Sequence, residues 1–532
     1  MPRARSLAVV MCGLALAATA CGSSAKSPAA TSNLNTGGTL TELISSDPGN
    51  LNPLQTVNGT TRSVDFYSYD PLINQIASGQ LVSGLASKWQ QAGNTYTFTL
   101  RRGVTCSDGS ALTASTVAAN VSYIANPANK SPLLGLFVPP GAKATADDAA
   151  STVTITLAGP FPFFLNDLAS FGIVCAKGLA DPAILAQGTD GTGPFTLTGS
   201  VPGEQYTFAV RRGYHWGPAG ASTDVAGMPG TIVLKVVTNM TTAANLLLDG
   251  QANAAGSVTG PDTKRLAAAH LFKAGGTLVP LGELWFNQAA GHPGASETVR
   301  QALLMALNLP QVGTVLTQGQ GVPAAGLVTV TPKACSGNTV AGNLPTYDPA
   351  KARTLLDQAG WTAGPGGIRA KAGKQLAISI LYPTDVGGDP ASAFELAAQE
   401  WGNIGVKVTL QSNTSTGEEG VLFGPGTYDV VDIALGVTVP SEAVPFLSGP
   451  VPPAGTNFAH IDNSAYNTLV AQAAAKRGAT GCPQWNQAEV DLFKAADIAP
   501  FENEAVPAWG KSATFQVLAG LIVPTSLRLY KG

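Results

Sequence analysis

The N-terminus of the chain places the strongest constraint on the fold, because it marks the protein for export. Arg3 and Arg5 precede an uncharged, largely apolar stretch over 6–20, and small residues lead directly to Cys21. A basic start, a short apolar segment and small residues before a cleavage point are typical of a secretory signal peptide. The stretch is shorter than the roughly twenty apolar residues that span a bilayer. We therefore predict a signal peptide over 1–20 and a mature chain that does not span the membrane.

Cys21 carries the second signal in this region. It is followed by a run of small residues that reaches Gly37 and Gly38 and has little to bury. The arrangement resembles a bacterial lipobox, in which the cysteine becomes a diacylated N-terminus, although Ala18 stands where leucine is usual. Two acyl chains and a flexible tether over 21–36 make a sufficient membrane anchor. We predict lipidation of Cys21 and a place in the cell envelope, on the extracytoplasmic face of the membrane. The alternative is ordinary secretion with an incidental Cys21.

The charge balance limits the partners of the chain. Only 12% of the 532 residues are charged and the net charge is −3, whereas an average protein carries about 25% charged residues. No excess of basic residues is present to neutralise a phosphate backbone. We expect no nucleic-acid partner.

Hydrophobic periodicity predicts both strands and helices. Segments with alternating or β-branched apolar residues indicate strands at 96–100, 205–210, 231–237 and 376–382. Asp348 followed by Pro349 is typical of a helix start, and an apolar stripe from Ala352 leads to the end at Gly360. A second helical stripe runs from Val299 to Ala306. The mixture indicates an α/β fold.

The segments resemble, in their order along the chain, the family 5 solute-binding proteins of ABC importers, which include oligopeptide-, dipeptide- and nickel-binding proteins. The resemblance covers about residues 37–530, and each piece is weak by itself. The matching pieces are Gly37 to Thr41, Leu51-Asn52-Pro53, Tyr69 to Leu72, Leu85 to Trp89, Tyr96 to Val104 with Ser107-Asp108-Gly109, Gly191 to Phe195, Leu248 to Asn253, Trp285-Phe286-Asn287, Val299 to Leu303, Tyr347 to Trp361, Gly402 to Val408, and Tyr428-Asp429-Val430.

This resemblance implies a two-lobed periplasmic-binding-protein-like fold of type II, cluster C, with an extra subdomain in the first lobe. The implied ranges are 37–60, 190–285 and 500–532 for lobe I, 61–189 for the inserted subdomain and 286–499 for lobe II. Two crossover segments, near 282–287 and 499–504, are expected to form the hinge. The family implies a monomer that binds a small molecule between the lobes and delivers it to an ABC permease in the membrane.

The cysteines favour an oxidising compartment. Besides Cys12 and Cys21, the chain has Cys106, Cys175, Cys335 and Cys482, which allow three pairings. With the domains that the resemblance implies, we favour the disulfides Cys106–Cys175 and Cys335–Cys482, since each pair falls within one of them. A metal site is not expected, because no two cysteines have the close spacing of metal ligands.

Three regions contact the ligand in the family and can be carried over by position. They are Ser45, Ser46 and Asp47 after the first strand, Glu283, Trp285 and Asn287 at the first crossover, and Gly436, Val437 and Glu442 in lobe II. For Trp285 two interpretations stay open, a flat wall for the ligand or packing at the hinge.

The third region departs from the family pattern. Val437 stands where the family has tryptophan, and Pro440 where peptide-binding members have the aspartate that pairs with the peptide's ammonium group. A buried ammonium without a partner is costly, so peptide specificity is in doubt. Either Glu442 or Glu283 substitutes for the aspartate, or the ligand is neutral and held mainly by aromatic stacking.

Signatures of an enzyme are absent from the sequence. The chain has no Gly-x-Ser-x-Gly, His-Glu-x-x-His, Gly-x-Gly-x-x-Gly or phosphate-binding loop, and its four histidines are far apart. We expect no catalytic activity, no cofactor and no metal. Two alternatives remain: an exported binding or sensor lipoprotein without coupling to import, and a hydrolase whose catalytic residues come from distant segments.

Overall fold

The computed structural model describes residues 33–532 apart from 57, 257, 385 and 434 and the side chain of 416. The predicted signal peptide, Cys21 and most of the predicted tether lie outside these residues. Within the described part of the chain, every helix is too short or too polar to cross a membrane.

Helices and strands are interspersed along the whole chain. The helices are α1 Gly59–Ser68, α2 Ala114–Ala125, α3 Phe164–Leu168, α4 Ala176–Ala180, α5 Met240–Leu248, α6 Pro261–Ala268, α7 Glu297–Met305, α8 Leu309–Leu316, α9 Pro349–Gln358, α10 Pro390–Gly402, α11 Ser415–Leu422, α12 Pro440–Leu447, α13 Ser464–Ala474 and α14 Cys482–Lys494. The strands are β1 Thr39–Ile44, β2 Ile73–Gln75, β3 Leu81–Ser83, β4 Ala86–Ala92, β5 Thr95–Leu100, β6 Lys143–Asp147, β7 Thr152–Thr156, β8 Phe195–Val201, β9 Gln205–Val210, β10 Thr231–Val236, β11 Ala254–Ala255, β12 Phe272–Phe286, β13 Gly321–Pro323, β14 Thr362–Ala363, β15 Arg369–Lys371, β16 Lys374–Gln375, β17 Ala377–Pro383, β18 Lys407–Asn413, β19 Val430–Asp432, β20 Ile498–Gly510, β21 Ala513–Thr514, β22 Val517–Leu518, β23 Leu521–Ile522 and β24 Arg528–Leu529.

The predicted elements correspond to observed ones. The strands predicted at 96–100, 205–210, 231–237 and 376–382 are β5, β9, β10 and β17. Helix α9 begins as expected, because the Asp348 side chain caps it by accepting from the Lys351 N–H. Ala352 and Leu356 are fully buried on its inner face, and the chain leaves the helix through Gly360 at φ +82°. The α/β fold class is confirmed.

One mixed sheet extends through both lobes. Its strand order is β18-β17-β19-β12-β20-β11-β1-β10-β9-β8, and β13 adds to β20. The strands β11, β1, β10, β9 and β8 belong to the predicted lobe I, and β17, β18 and β19 to lobe II. Strands β12 and β20 stand between the two groups and connect the two halves.

The long strands β12 and β20 contact both halves. They pair antiparallel from Phe272↔Gly510 to Trp285↔Ile498, and the register shifts on both sides of Gly282. A Cβ atom on Gly282 would lie 2.4 Å from the Phe501 ring, so only glycine permits this close approach. The irregularity lies beside the predicted crossovers, where a hinge between lobes would bend.

The apolar cores are separate. The inserted subdomain has its own four-stranded sheet, β4-β5-β7-β6, which packs on α2. Another core lies on the lobe I sheet around Phe195 and Phe208, and lobe II has two cores, around Trp401 and around Trp285. Separate cores of this kind characterise a two-lobed protein, although the predicted residue boundaries remain a prediction.

Two disulfides join the cysteines within these units. Cys106 bonds to Cys175 in the inserted subdomain, with Cα atoms 6.2 Å apart. Cys335 bonds to Cys482 in lobe II, with Cα atoms 5.3 Å apart. These are the pairs favoured from the sequence.

Candidate ligand-binding site

The carboxylate of Asp47, the predicted ligand contact after β1, already has hydrogen-bond partners within lobe I. Its carboxylate accepts hydrogen bonds from the N–H groups of Gly49 and Gly203 and from the Tyr206 hydroxyl, 2.7 Å away. Partial burial acts to raise the pKa of Asp47, but these three hydrogen bonds together lower it. Ser46 is exposed and shares a hydrogen bond with Thr60, and Ser45 is half-buried. The Asp47 side chain orders the loop after β1.

Trp285 is the last residue of the range predicted for lobe I, but its side chain packs in a core formed by lobe II residues such as Tyr428 and Val431. Its side chain is 0% exposed, and its ring centroid lies 5.1 Å from that of Phe458. This placement favours the packing interpretation over a wall for the ligand. Its neighbour Asn287 is also buried, and its amide donates to the Tyr428 carbonyl at 3.0 Å.

Glu283 is buried next to the strand that carries Asp432. Its own N–H donates to the Asp432 carboxylate at 2.8 Å, and its carboxylate accepts from the Leu435 N–H. Burial raises the pKa of Glu283 well above its usual value. Glu283 is 2% exposed and its carboxylate is engaged by the Leu435 N–H, so the structure does not favour it as a partner for a ligand ammonium.

The third predicted region begins helix α12. Val437 is buried and pairs with Val328 across an isolated bridge, while Gly436 is exposed. The Glu442 carboxylate accepts from the N–H groups of Thr438 and Val439. Glu442 therefore caps its own helix. The third region lies close to strand β12, which carries Glu283 and Trp285, since a Cβ on Gly436 would lie 4.0 Å from Pro280 of this strand.

A cavity of about 360 Å³ lies elsewhere, within lobe I. We call it the lobe I cavity. Helix α1 forms one wall, the inserted subdomain a second, and the C-terminal segment with β22 and β23 a third. Its lining residues include Arg62, Asp65, Phe66, Tyr69, Leu133, Phe137, Phe171, Tyr214, Val517, Leu518 and Val523. No lining residue comes from lobe II. The cavity therefore differs from the site predicted from the sequence, which lies between the lobes.

One face of helix α1 packs in the protein and another lines the cavity. Thr61, Val64 and Tyr67 are buried, and Thr61 donates to the Pro48 carbonyl at 2.7 Å. The other face carries Arg62, Asp65 and Phe66, and Tyr69 follows directly after the helix; these four side chains line the cavity. Their spacing of i, i+3, i+4 and i+7 places them on one side of a helix. This spacing is present in the sequence, but no site was predicted in this segment.

Four ionisable residues line the cavity, Arg62, Asp65, Asp70 and Arg528. The side chains of Asp70 and Arg528 have hydrogen-bond partners, whereas those of Arg62 and Asp65 have none among the described residues. The Oδ1 atom of Asp65 is buried without a partner. Burial raises the pKa of Asp65 well above its usual value, against the opposing effect of Arg62. Burial also lowers the pKa of Arg62, and Glu442 of lobe II and Asp65 oppose this change. The cavity thus contains polar groups that the protein itself leaves unsatisfied.

Asp70, also on the cavity wall, is fully satisfied. Its carboxylate accepts from the Tyr214 hydroxyl at 2.6 Å, from Thr192 at 2.8 Å and from the Trp216 indole at 3.0 Å. Burial raises its pKa to about 6, and these hydrogen bonds act in the opposite direction. Asp70 joins the inserted subdomain to lobe I. Asp65, five residues earlier, has no such role.

The two halves of the protein are in contact. The ring of Phe163 in the inserted subdomain lies 6.4 Å from that of Trp485 in lobe II, and the Gly478 N–H donates to the Pro162 carbonyl at 2.9 Å. Near the hinge, the Thr263 hydroxyl donates to the Gln320 side chain at 3.0 Å. Lobe II therefore closes over the inserted subdomain on one side and over α6 on the other.

Helix α1 is held on lobe I by a buried hydrogen bond that gives a testable pH dependence. The Tyr67 hydroxyl donates to Glu42 of β1 at 2.5 Å, and burial raises the pKa of Glu42 to about 7. A carboxyl group whose pKa is higher in the folded than in the unfolded protein stabilises the fold when the pH is below the unfolded-state pKa. This contribution is lost as the pH rises through the folded-state pKa. The loss corresponds to about 3 kcal/mol between pH 4.5 and 7.

The matched variant is Glu42→Gln, which retains an acceptor and does not titrate. We expect the stability of the wild type to fall relative to that of the variant across this pH window. Urea unfolding at several pH values measures the difference. A difference that is constant with pH would contradict the prediction.

The chain folds as a two-lobed protein with separate cores, two connecting strands and a polar-lined cavity, which is the architecture of an extracytoplasmic solute-binding protein. Residues 80–447 match the family model described as "Bacterial extracellular solute-binding proteins, family 5 Middle". The chain belongs to this family of binding proteins.

Curated relatives and solved structures agree with this assignment. Protein XP55 of Streptomyces lividans is 29% identical over 69% of the chain, which spans 65% of that protein. The glutathione-binding protein GsiB of Pectobacterium atrosepticum is 27% identical over 80% of both chains. A substrate-binding protein from Microbacterium hydrocarbonoxydans, solved with 4-hydroxybenzoate hydrazide, is 25% identical with a TM-score of 0.72, over 92% of this chain and all of that one.

Proposed function

We propose that the protein captures a small organic solute outside the cytoplasm and delivers it to the permease of an ABC importer. The observation that carries this proposal is the lobe I cavity, with unsatisfied polar groups on an apolar wall, in a protein whose halves are joined by β12 and β20. Ligand sites are usually apolar concavities of about 300–1,000 Å³ with a few convergent polar groups. At about 360 Å³ the cavity fits a small molecule.

The small volume of the cavity and the loss of the family's ammonium-binding carboxylate elsewhere support a small solute over a long peptide. Pro440 replaces the carboxylate that would hold a peptide's ammonium group, Glu442 is engaged in capping, and Glu283 is buried in lobe II. The relatives bind small molecules of different kinds, glutathione in one case and an aromatic acyl hydrazide in another, by their names.

Lobe closure supplies the mechanism of delivery. A solute shifts the balance between open and closed forms only by the difference in its affinity for them. Arg62 of the cavity lies close enough to Glu442 of α12 for the two charges to interact. A solute bound at Arg62 would therefore change the interaction of this residue with Glu442 of lobe II. Closure of the lobes would present a new surface to the permease.

Attachment to the membrane through lipid on Cys21 completes the proposal. The anchored protein would work as a monomer, with lobe I at 37–60, 190–285 and 500–532, the inserted subdomain at 61–189 and lobe II at 286–499. The mass of the N-terminal peptide from membrane-extracted protein tests the anchor. A diacylated cysteine is expected, and an unmodified Cys21 would contradict it.

The solute itself is tested on the purified full-length protein. Native mass spectrometry is expected to show a small copurifying ligand, and a thermal-shift screen of small organic solutes, with 4-hydroxybenzoate hydrazide, glutathione and dipeptides among them, to show stabilisation. A ligand at one hundred times its Kd adds about 2.7 kcal/mol. If no solute binds, or if a reporter ester or peptide is hydrolysed, the proposal is wrong. Unimpaired uptake of the bound solute in a deletion strain would favour a sensor.

A further inference from the structure

Arg62 and Asp65 share one face of α1 and both line the lobe I cavity. The Asp65 Oδ1 atom is buried and has no hydrogen-bond partner. A buried polar atom without a partner costs about 1–3 kcal/mol, and native proteins seldom retain one without a reason. The cost is recovered if a ligand supplies the missing partner.

The rest of the wall sets the body of that ligand. Phe66, Tyr69, Phe137 and Phe171 contribute aromatic rings, and Leu133 an apolar side chain. Tyr69, Phe137, Phe171 and Leu133 are at most 8% exposed. Aromatic surfaces of this kind favour an aromatic ligand, since ring pairs contribute beyond the area they bury. Exposed Ala77 and Gln516 mark where the cavity opens to solvent.

The two polar groups set the head of the ligand. The Arg62 guanidinium only donates hydrogen bonds, so it requires an acceptor. Asp65 can accept from an N–H group in either protonation state, and burial keeps its pKa high. A group with a carbonyl oxygen beside an N–H satisfies both at once. A free carboxylate would satisfy Arg62 but has no N–H for Asp65, and it would add a negative charge beside an acidic residue in a largely buried site.

We propose that the lobe I cavity binds a small, uncharged aromatic amide or acyl hydrazide, with its carbonyl on Arg62, its N–H on Asp65 and its ring among Phe66, Tyr69, Phe137 and Phe171. This inference rests on the proposed function and names the class of solute for the same cavity.

The ligand class is tested by calorimetric titration of the full-length protein, freed of bound ligand by partial unfolding and refolding. Benzohydrazide and benzamide carry both a carbonyl and an N–H. Methyl benzoate lacks the N–H, benzoate is charged and phenylalanine is zwitterionic. We expect the first two to bind and the other three to bind at least tenfold more weakly, the effect of about one lost hydrogen bond in a buried site. Tighter binding of benzoate or phenylalanine overturns the inference.

Two variants test the residues. Asp65→Leu and Arg62→Met preserve side-chain bulk and remove the polar group, and each is expected to weaken benzohydrazide binding about tenfold or more. Because Asp65 has no partner in the protein, the Asp65→Leu variant should unfold at the same temperature as the wild type or higher. A structural role would lower that temperature. Ser63→Ala, on the same helix but outside the cavity lining, is the matched control and should bind as the wild type does.

The outcomes separate the two proposals. The proposed ligand class is wrong if benzohydrazide and benzamide do not bind while another solute from the screen does. It is also wrong if both variants bind benzohydrazide as tightly as the wild type. In either case the solute-binding function stands. If no solute binds the wild type at all, the proposed function fails first.

Discussion

Replacing Trp285 with alanine is expected to lower the free energy of unfolding by about 3 to 5 kcal/mol, the usual effect of removing a large aromatic side chain from a core. The residue is fully buried in lobe II, against Phe458 and in a cluster with Tyr428 and Leu492. Since Trp285 does not line the lobe I cavity, the affinity of the folded protein for its solute should stay within about twofold. Urea unfolding by circular dichroism, and titration with the identified solute, measure the two effects.

The matched control is Trp285→Phe, which keeps a ring in the same core and should lose much less stability. A tenfold loss of affinity with unchanged stability in Trp285→Ala would restore this tryptophan as a wall of the binding site. It would also show that the solute binds at the crossover and not in the lobe I cavity.

Replacing Cys335 and Cys482 together with serine is expected to have a comparable effect. The disulfide closes a loop with a sequence separation of 147, and in the loop-entropy model a bond of this span contributes up to about 5 kcal/mol. The bond also holds the loop after β13 beside α14, whose Trp485 contacts Phe163 of the inserted subdomain. We therefore expect both a lower unfolding midpoint and a weaker contact between lobe II and the subdomain.

The companion variant removes Cys106 and Cys175, whose sequence separation is 69. The same model gives this shorter loop a slightly smaller contribution, by less than about 1 kcal/mol. Only the Cys335/Cys482 variant should also shift the closed form toward the open one, a change that small-angle scattering detects as a larger radius of gyration. Equal radii for the two variants would show that Cys335–Cys482 does not support closure.

Much of the fold followed from local signals. The capped start of α9 at Asp348, its apolar stripe and its end at Gly360 are contained in one short segment. The alternation that identifies β5 and β9 is equally local. The disulfide pairs required one further step, the division into domains, which came from the order of the family segments. Such signals survive in the sequence because neighbouring residues generate them.

The ligand-binding residues could not be identified from local sequence signals as the helices and strands could, and they remain predictions. Asp47 lies in a loop and Glu442 in the first turn of α12, positions where solvent or a ligand is a common partner, but in the structure their carboxylates accept from Gly203 and from Thr438. Trp285 lies on a crossover strand, and its burial depends on Phe458, distant in sequence. Position in a family pattern does not reveal which of these groups is already satisfied.

The sequence by itself indicated the α/β class and the family, predicted an export signal and favoured the two cysteine pairs, because each depends on short-range pattern or on the order of segments. Only the tertiary structure decided where the unsatisfied polar groups lie. The Oδ1 atom of Asp65 is buried without a partner because α1, the inserted subdomain and the C-terminal segment meet around it. Burial and hydrogen-bond satisfaction are properties of the atoms that surround a side chain, and these atoms come from parts of the chain that are far apart in sequence.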